Sequence, residues 1–518
     1  MYKTKRFVCL LVAMCILITA ALAGCGVKRG EPASASRGTE SATGKQEEST
    51  KAELKEVQLS WYLLSGGIPR DDEMVEEEVN KYIKDKINAT IDLVYLDWGS
   101  FQQKRDAMLA SGEFFDITFC PAWMGYWTHV AKGAFTDLTD LLDQYAPKTK
   151  SIRVPALLDG CKYNGRIYAI ACNKEAAQHW GLMFNKDLVD KHNIDLSKIK
   201  KPQDLEQYLQ LIKEKEPDVI PFGVKPGWSL AQMVGFGLSE PIGGHTFGSL
   251  PKGSNDFKVS DLIYMKEFEE ALKLQHSWYK KGYINKNCAD KNVDLSGALT
   301  EGKIFVRATA LKPYADKESS VNSSYPFVQL DLTDAYITTD STTNSMQVIP
   351  RTSKNPERAL MFLELFNTDQ YLNNLITHGI EGVHYKKISN NKIEPADGID
   401  IQNHPYSLAG MAWALNNQFI TYLNKAEPDD KYSKYEEYNK NAVVSKILGF
   451  TFDAEPVKNE MAAIANVYDT DNWLLLCGAF NPEEMLPKYI SKMKAAGSDK
   501  VLAEMQKQLD EWRDKNKN

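Results

Sequence analysis

The alternation of hydrophobic and polar positions changes its period several times near the start of the globular part of the chain. Residues 57–64 and 90–96 alternate with a period of two, which predicts strands, and residues 116–120 form a short apolar run typical of a buried strand. Residues 71–86 and 101–110, which lie between these runs, are predicted to be helices. Strand and helix in this order predict right-handed βαβ units and therefore an α/β fold with a parallel sheet.

Aromatic residues follow the carboxyl ends of all three predicted strands. The segments concerned are residues 61–67, residues 97–98 and residues 121–127, and each contains at least one tryptophan. Ligands bind outside the carboxyl ends of the strands in open parallel sheets. The pattern therefore predicts a binding site at this edge of the sheet.

The first apolar run of the chain has a different character, because a basic segment precedes it. Three basic residues stand before an apolar run over residues 7–21, as in an export signal. Residues 22–25 read Leu-Ala-Gly-Cys and resemble the lipobox of bacterial lipoproteins, in which the signal is cut before the cysteine and the sulfur of that cysteine carries a diacylglyceryl group. This resemblance implies lipidation of Cys25. The alternative is an uncleaved membrane helix, since about 18 apolar residues can span a bilayer.

A polar segment separates Cys25 from the first predicted strand. Residues 26–55 are rich in Ser, Gly, Ala, Thr, Glu and Lys and contain no aromatic residue. Such a segment buries too little apolar area to offset its ordering entropy, so it is predicted to be a flexible tether with a root-mean-square span of roughly 30 Å. The predicted organisation is thus a lipoprotein signal peptide over residues 1–24, a lipidated cysteine with its tether over residues 25–55, and a globular body.

Length and charge restrict what this body can be and bind. The chain has 518 residues, so about 460 follow the tether, which is more than one comfortable core and predicts two lobes. The net charge is −7, and removal of the three basic residues of the signal changes it to −10. An acidic protein lacks the clustered Lys and Arg that bind phosphates, so no nucleic-acid partner is expected.

The cysteines of the body do not predict a metal site. They show neither CxxC spacing nor an adjacent histidine pattern, so no zinc is expected. Cys161 and Cys172 flank a predicted hairpin and can pair, the alternative being that they are buried free thiols. The five cysteines are Cys120, Cys161, Cys172, Cys288 and Cys477.

Four short motifs, taken in order, resemble the family 1 extracellular solute-binding proteins of ABC importers. Residues 110–117 (ASGEFFDI) look like the family's SGE-x-x-D-I segment, and residues 132–138 (KGAFTDL) look like its G-A-F-x-D-L segment. Residues 165–170 (GRIYAI) resemble its G-K-I-Y-A-I-P hairpin, and residues 353–359 (SKNPERA) resemble the opening of one of its helices. Residues 448–458 and the acidic helical tail resemble lipoproteins of the LplA/LipO type, which carry a C-terminal domain of unknown function.

The resemblance implies a periplasmic-binding-protein-like fold of two α/β lobes, which are joined by three crossings and close on ligand through a hinge. Carried onto this chain, residues 56–175 and 303–380 form the first lobe. Residues 176–302 and 381–514 form the second lobe, with the C-terminal family-specific region included. The first crossing is expected at residues 172–175.

Six side chains are candidate contacts for a sugar. Sugars present flat C–H faces, which Trp and Tyr rings cover, and hydroxyl groups, which carboxylates and amides bind. Clefts between lobes are the usual place for such mixtures. For each tryptophan, the alternative is packing in a core. The candidates are Trp61, Trp123, Trp127, Glu175, Trp228 and Trp413.

Two of these candidates form a predicted pair. The resemblance places Trp123 on the first lobe and Trp413 on the second. The two rings are therefore expected to clamp one sugar from opposite sides when the lobes close.

The predicted function is that of a lipid-anchored, extracellular substrate-binding protein that delivers a carbohydrate, in particular an oligosaccharide, to ABC permease subunits. The chain has no GxSxG, HExxH or P-loop motif. This absence is weak evidence by itself, and the family resemblance implies that no catalytic residue, cofactor or metal is present. A monomer is expected. One alternative is a binding protein for another solute such as a peptide. Another is a secreted carbohydrate-active enzyme, which needs two carboxylates about 5–10 Å apart.

Overall fold

Two separate β-sheets organise the globular body in the computed structural model. The predicted signal peptide, Cys25 and nearly all of the predicted tether lie outside the described residues. The residues that the structure describes are 54–242, 247–321, 323–399, 404–415 and 417–516.

The first sheet contains the three strands predicted from the sequence. Val57–Ser65 pairs in parallel with Ala89–Asp97 on one side and with Ile117–Phe119 on the other. Met346–Val348 and Ala169–Ala171 extend the sheet with antiparallel pairings. The predicted α/β fold is therefore confirmed, and two antiparallel strands complete the sheet.

The helix Asp72–Ile87 illustrates why the predicted helices form. Val75, Val79, Ile83 and Ile87 are all buried and recur every four residues, so they make one apolar face against the sheet. Acidic residues occupy its first turn and lysines its last turn, which complements the helix dipole. The other helices of at least five residues around this sheet are Phe101–Ser111, Tyr126–Ala131, Thr139–Tyr145, Pro147–Ser151, Pro155–Asp159, Thr339–Thr343, Pro356–Thr368 and Gln370–His378.

The second sheet has four strands in the order Phe327–Asp331, His179–Asn185, Ile304–Leu311 and Ile220–Phe222. The first three strands pair antiparallel with one another, and Ile220–Phe222 pairs in parallel with Ile304–Leu311. Helices that accompany this sheet are Lys186–Lys191, Glu206–Lys215, Leu230–Leu238, Lys266–Lys280, Ser296–Thr300, Ala315–Val321, Lys458–Val467, Trp473–Leu476, Pro482–Ala495 and Ser498–Lys515.

Each sheet has its own hydrophobic core, and the two cores correct the predicted lobe boundaries. The strand Ile304–Leu311 pairs with His179–Asn185, so residues 304–331 belong to the second lobe and not to the first. Tyr406 and Leu415 are buried in the first core, so the described residues between 381 and 424 belong to the first lobe. The alternation of the sequence identifies strands but not their pairing partners, which is why these boundaries were misplaced.

Within the described ranges, the chain passes between the two lobes three times, through residues 172–178, 332–345 and 425–445. Hydrogen bonds join these connecting segments to one another. The side-chain amide of Asn439 accepts from the backbone N–H of Ala176 at 2.7 Å and donates to the carbonyl of Lys174 at 2.7 Å. Residue Tyr336 bridges to Gln178 and pairs with Val443. We call these three connecting segments the hinge region, and hydrogen bonds hold them together.

The five described cysteines are buried free thiols, as one of the two sequence interpretations holds. The Cys161 thiol donates to the carbonyls of Leu158 and Ala169, at 3.2 and 3.4 Å, instead of pairing with Cys172. Burial raises the pKa of Cys161 to about 12, so the thiol stays protonated.

Within the described ranges, no helix is both long and apolar enough to cross a membrane.

Candidate ligand-binding cleft

Two neighbouring cavities lie between the lobes. The larger has a volume of about 1030 Å³ and the smaller about 430 Å³, and both are lined by Asp340 and Asn344. Together they form one cleft that runs along the lobe boundary beside the hinge region.

The walls of the larger cavity come from both lobes. The first lobe contributes Trp123, Trp127, Lys132 and Tyr163, whereas residues 451–455 of the second lobe line the opposite side. A molecule bound here contacts both lobes, which is the arrangement that a closing cleft requires.

Trp123 is the most exposed aromatic side chain of this wall. The strand Ile117–Phe119 ends just before it, and a single helical turn over Ala122–Met124 turns its ring outward, where 53% of the side chain is exposed. Its indole N–H donates to the carbonyl of Asn344 at 2.8 Å. The ring is therefore held in place while one face stays free, as a stacking surface for a sugar requires.

Trp123 belongs to a series of three nearly parallel indole rings, which we call the tryptophan ladder: Trp123, Trp98 and Trp413. The ring centroids of Trp98 lie 6.3 Å from those of both neighbours, with interplanar angles of 18° and 22°. The ring of Phe119 packs edge-on against the rings of both Trp123 and Trp413. Trp98 and Trp413 line neither cleft cavity, so the ladder extends the aromatic surface beyond the lining of the larger cavity.

The smaller cavity combines aromatic and charged side chains. Trp180 and Phe236 stack at 5.6 Å with an angle of 28° between their rings. Glu175 accepts from Lys312 at 3.2 Å and from Lys174 at 3.4 Å. Burial alone would raise the pKa of Glu175, but the two lysines outweigh it and lower the pKa to about 2. Glu175 is therefore an ionised acceptor, and its Oε2 has no partner.

Two further carboxyl groups line the smaller cavity and are harder to ionise. Burial raises the pKa of Glu240 to about 7, against hydrogen bonding by Ser445 and the charge of Lys252. Burial likewise raises the pKa of Asp340 to about 6. At the same junction, the side-chain oxygen of Asn344 is buried without a partner. A buried acceptor without a hydrogen bond is costly. The side-chain oxygen of Asn344 and Oε2 of Glu175 therefore favour a ligand that brings hydroxyl donors.

The structure distributes the six predicted side chains unevenly. Trp123 and Trp127 line the larger cavity and Glu175 lines the smaller one, so their contact with ligand stays a prediction with a suitable geometry. Trp413 is part of the tryptophan ladder, but on the first lobe. Ser345 donates to its carbonyl at 2.7 Å and so fastens it to the first sheet. The prediction that Trp413 opposes Trp123 from the second lobe is therefore wrong.

The prediction that Trp61 and Trp228 contact the ligand is also wrong. Trp61 is 0% exposed, donates to the side chain of Gln347 at 3.2 Å and packs edge-on against Phe362 and Phe366 in the first core. No ligand reaches such a ring.

Trp228 lies outside the lining of both cleft cavities. Lys225 and Arg307 each stand 4.5 Å from its ring, and it packs against Leu295. Its aromatic face is therefore already covered by cations of the second lobe.

Three residues that line the cleft cavities were not among the sequence candidates: Asp340, Asn344 and Lys312. They lie in a connecting segment or directly after the strand Ile304–Leu311, which the sequence assigned to the wrong lobe, and periodicity gives no information about the cleft there. Trp98 of the tryptophan ladder also was not a candidate, although it follows the predicted strand 90–96.

Comparison with known proteins agrees with this architecture. Residues 71–372 match the family model of the bacterial extracellular solute-binding proteins, and residues 446–514 match a domain of unknown function (DUF3502). The chain belongs to the bacterial extracellular solute-binding proteins. The family resemblance deduced from the four motifs and the C-terminal segment is therefore confirmed.

Relatives of this solute-binding protein include a carbohydrate ABC transporter substrate-binding protein of Streptococcus pneumoniae, 33% identical over 84% of this chain and 86% of the relative. The crystal structure of the N-glycan transport solute-binding protein NgtS of the same species is 30% identical, covers 90% of this chain and 100% of its own, and superposes with a TM-score of 0.79. The complex of NgtS with Man5GlcNAc has the same identity and coverage but a TM-score of 0.66.

Proposed function

We propose that this protein captures an oligosaccharide outside the cell, in the cleft between its lobes, and delivers it to the permease subunits of an ABC importer. The observation that carries the proposal is the cleft itself, whose larger cavity of about 1030 Å³ is walled by exposed tryptophan on one lobe and polar loop on the other. Its size exceeds the range of about 300–1,000 Å³ of most small-ligand pockets and suits several sugar rings.

The chemistry of the walls favours a neutral, hydroxyl-rich ligand. Trp123 and Trp127 offer planes to the C–H faces of sugar rings. Asn344, Glu175 and Asp340 offer acceptors to hydroxyl groups. An N-glycan fragment of mannose and N-acetylglucosamine is the proposed class of ligand, because NgtS, a relative, has been crystallised with Man5GlcNAc.

We infer that the lobes close on this ligand. The structure agrees better with NgtS, at a TM-score of 0.79, than with its Man5GlcNAc complex, at 0.66, although sequence identity and coverage are equal. The two NgtS structures therefore differ in conformation, and this chain is nearer to the first. A ligand can drive such a change only through a higher affinity for the closed state.

The proposed location is the outer face of the cell membrane, with the protein anchored as a monomer through a lipid on Cys25. The lipobox and the polar segment over residues 26–55 support the lipid anchor. In a Cys25→Ala variant, the protein should leave the membrane fraction or remain an uncleaved precursor. Unchanged acyl labelling of that variant would contradict the anchor.

A second candidate function, glycoside hydrolysis, is favoured by one observation: Glu240 and Asp340 line the same cavity and both have raised pKa values. Glu240 is 4% exposed and interacts with Lys252, Ser445 and Tyr336, which indicates a structural role. We propose binding without catalysis.

Isothermal titration calorimetry with Man5GlcNAc tests the proposed function, followed by mass spectrometry of the recovered glycan. Saturable binding and an intact glycan are expected. A cleaved glycan supports the hydrolase, and absence of binding to any of a panel of glycans and peptides contradicts the proposal.

A further inference from the structure

A third cavity, which we call the side cavity, lies apart from the cleft. Its volume is about 310 Å³, and it lies among the end of the helix Gln370–His378, the three-stranded sheet Tyr385–Lys387, Lys392–Pro395 and Leu423–Asn424, and the start of the helix Lys431–Asn441. Among the described residues, none that lines it also lines the two cleft cavities. It is therefore a separate space in the molecule.

Three residues that line this cavity each carry a buried hydrogen-bonding atom without a partner: Nε2 of His378, Nδ1 of His404 and Oε1 of Gln418. His378 is only 8% exposed. Leaving a buried polar atom without a hydrogen bond destabilises a fold, so three such atoms on the residues around one cavity need an explanation. A bound molecule that completes their hydrogen bonds provides one.

The two imidazoles act as acceptors. Burial lowers the pKa of His378 to about 4, and the proximity of His404 lowers it further, so the ring is neutral at pH 7. A backbone hydrogen bond to Tyr422 engages the other ring nitrogen of His378, which leaves Nε2 with a lone pair. His404 is likewise bonded to backbone groups, and its pKa is lowered by burial. All three free atoms therefore accept hydrogen bonds.

The remaining wall is aromatic. The ring of Tyr422 stacks on His378 at 6.4 Å with an interplanar angle of 20°, and Tyr385 lies 6.0 Å from Tyr422. A metal ion is disfavoured, because no group of three or more His, Cys, Asp or Glu in the described ranges is arranged to hold one. A ligand for this cavity must combine several donors with an apolar face.

We propose that the side cavity is a second binding site, which takes one neutral sugar ring or a comparable polyol. Its hydroxyl groups donate to His378, His404 and Gln418, and its C–H face lies against the tyrosines. A volume of 310 Å³ corresponds to about ten water molecules of ~30 Å³ each, which is room for a single ring but not for an oligosaccharide. The proposal is independent of what the cleft binds.

The test is ¹⁵N NMR of the full-length protein labelled at histidine, titrated separately with D-mannose, N-acetyl-D-glucosamine and glycerol. At least one probe is expected to shift the Nε2 signal of His378 saturably, with a Kd in the millimolar range. The same shift is expected in Trp123→Ala, which alters only the cleft, and in the control His192→Gln, which alters a histidine paired with Glu216 in the second lobe.

Two variants make the test specific. His378→Phe keeps the stacking on Tyr422 but removes the acceptor. Read on the ¹⁵N signals of His404, it should weaken binding of the active probe at least about tenfold, or ~1.4 kcal/mol. His404→Phe serves the same purpose if the first variant does not fold, read on the His378 signal. Absence of any saturable shift with all three probes would overturn the proposal, as would a shift that Trp123→Ala abolishes or that neither histidine variant weakens.

Discussion

Two regions of the first lobe use the same residue type for opposite purposes. Trp61 lies in the middle of the strand Val57–Ser65, where it is 0% exposed beneath the helix Pro356–Thr368. Trp123 lies just beyond the end of the neighbouring strand Ile117–Phe119 and is 53% exposed. The position of a tryptophan relative to the strand end therefore decides whether it stabilises the fold or faces the cleft.

The two regions are nevertheless connected by one side chain. Gln347 accepts from the indole of Trp61 at 3.2 Å and donates to the carbonyl of Ala414 at 2.7 Å, next to Trp413 of the tryptophan ladder. The core thus fixes the height and angle of the aromatic surface. A rigid surface loses less entropy on binding than a mobile one would.

The largest expected effect separates the two regions directly. Trp61→Ala should lower the free energy of unfolding by about 3–5 kcal/mol, because it leaves a cavity in a close-packed core. The affinity of the folded fraction for Man5GlcNAc should change little. Chemical denaturation and calorimetry on the same sample measure both quantities, and a large loss of affinity with intact stability would place Trp61 in the site after all.

Trp123→Ala should show the converse at a smaller size. Loss of the stacking surface should weaken oligosaccharide binding by about 1–3 kcal/mol, taking the scale of bases stacked on aromatic rings as a guide. The unfolding free energy should change by less than about 1 kcal/mol, since the ring is already half exposed. Trp228→Ala is the matched control, because this tryptophan lies outside the cleft lining. The affinity of this variant for the oligosaccharide should equal that of the unaltered protein.

The smallest expected effect is on stability and concerns the buried carboxyl group of Asp340 in the cleft. Burial raises its pKa from 3.8 to about 6, so the folded state binds the proton more tightly than the unfolded chain does. Its contribution to stability is thus present below about pH 4 and is lost as the pH rises to about 6. Asp340→Asn should remove this pH dependence and stabilise the protein at pH 7, because no charge is then buried. The expected gain is about 1–2 kcal/mol, since the carboxylate of Asp340 is partly hydrated in the folded protein.

Thermal melts across that pH window, with the surface variant Asp334→Asn as the control, measure this effect. An unchanged slope in Asp340→Asn would show that the carboxyl of Asp340 ionises as freely in the folded protein as in the unfolded chain.

The local elements and part of the site were predictable from the sequence, whereas the lobe boundaries were not. Alternation and apolar spacing are local properties, so the strands near residues 57–64 and 90–96 and the helices after them were found. The affiliation of Ile304–Leu311 depends on its pairing with His179–Asn185, a contact between distant segments. That pairing leaves no periodic signal in the chain.

The candidate site shows the same limit. Trp123 and Trp127 follow a strand end, and this position alone pointed to the cleft. Trp413 reaches the ladder only because Ser345 and Gln347 hold its segment on the first sheet. Asn344 becomes a site residue through its place between two cavities, which only the folded structure reveals.

Small-angle X-ray scattering with and without Man5GlcNAc tests the central claim most directly, namely that an oligosaccharide closes the two lobes over the tryptophan wall. The radius of gyration should fall when the glycan saturates the protein, and Trp123→Ala should need a higher glycan concentration to reach the same value. If calorimetry shows tight binding while the scattering curve stays the same, the ligand does not close the lobes and the account is wrong.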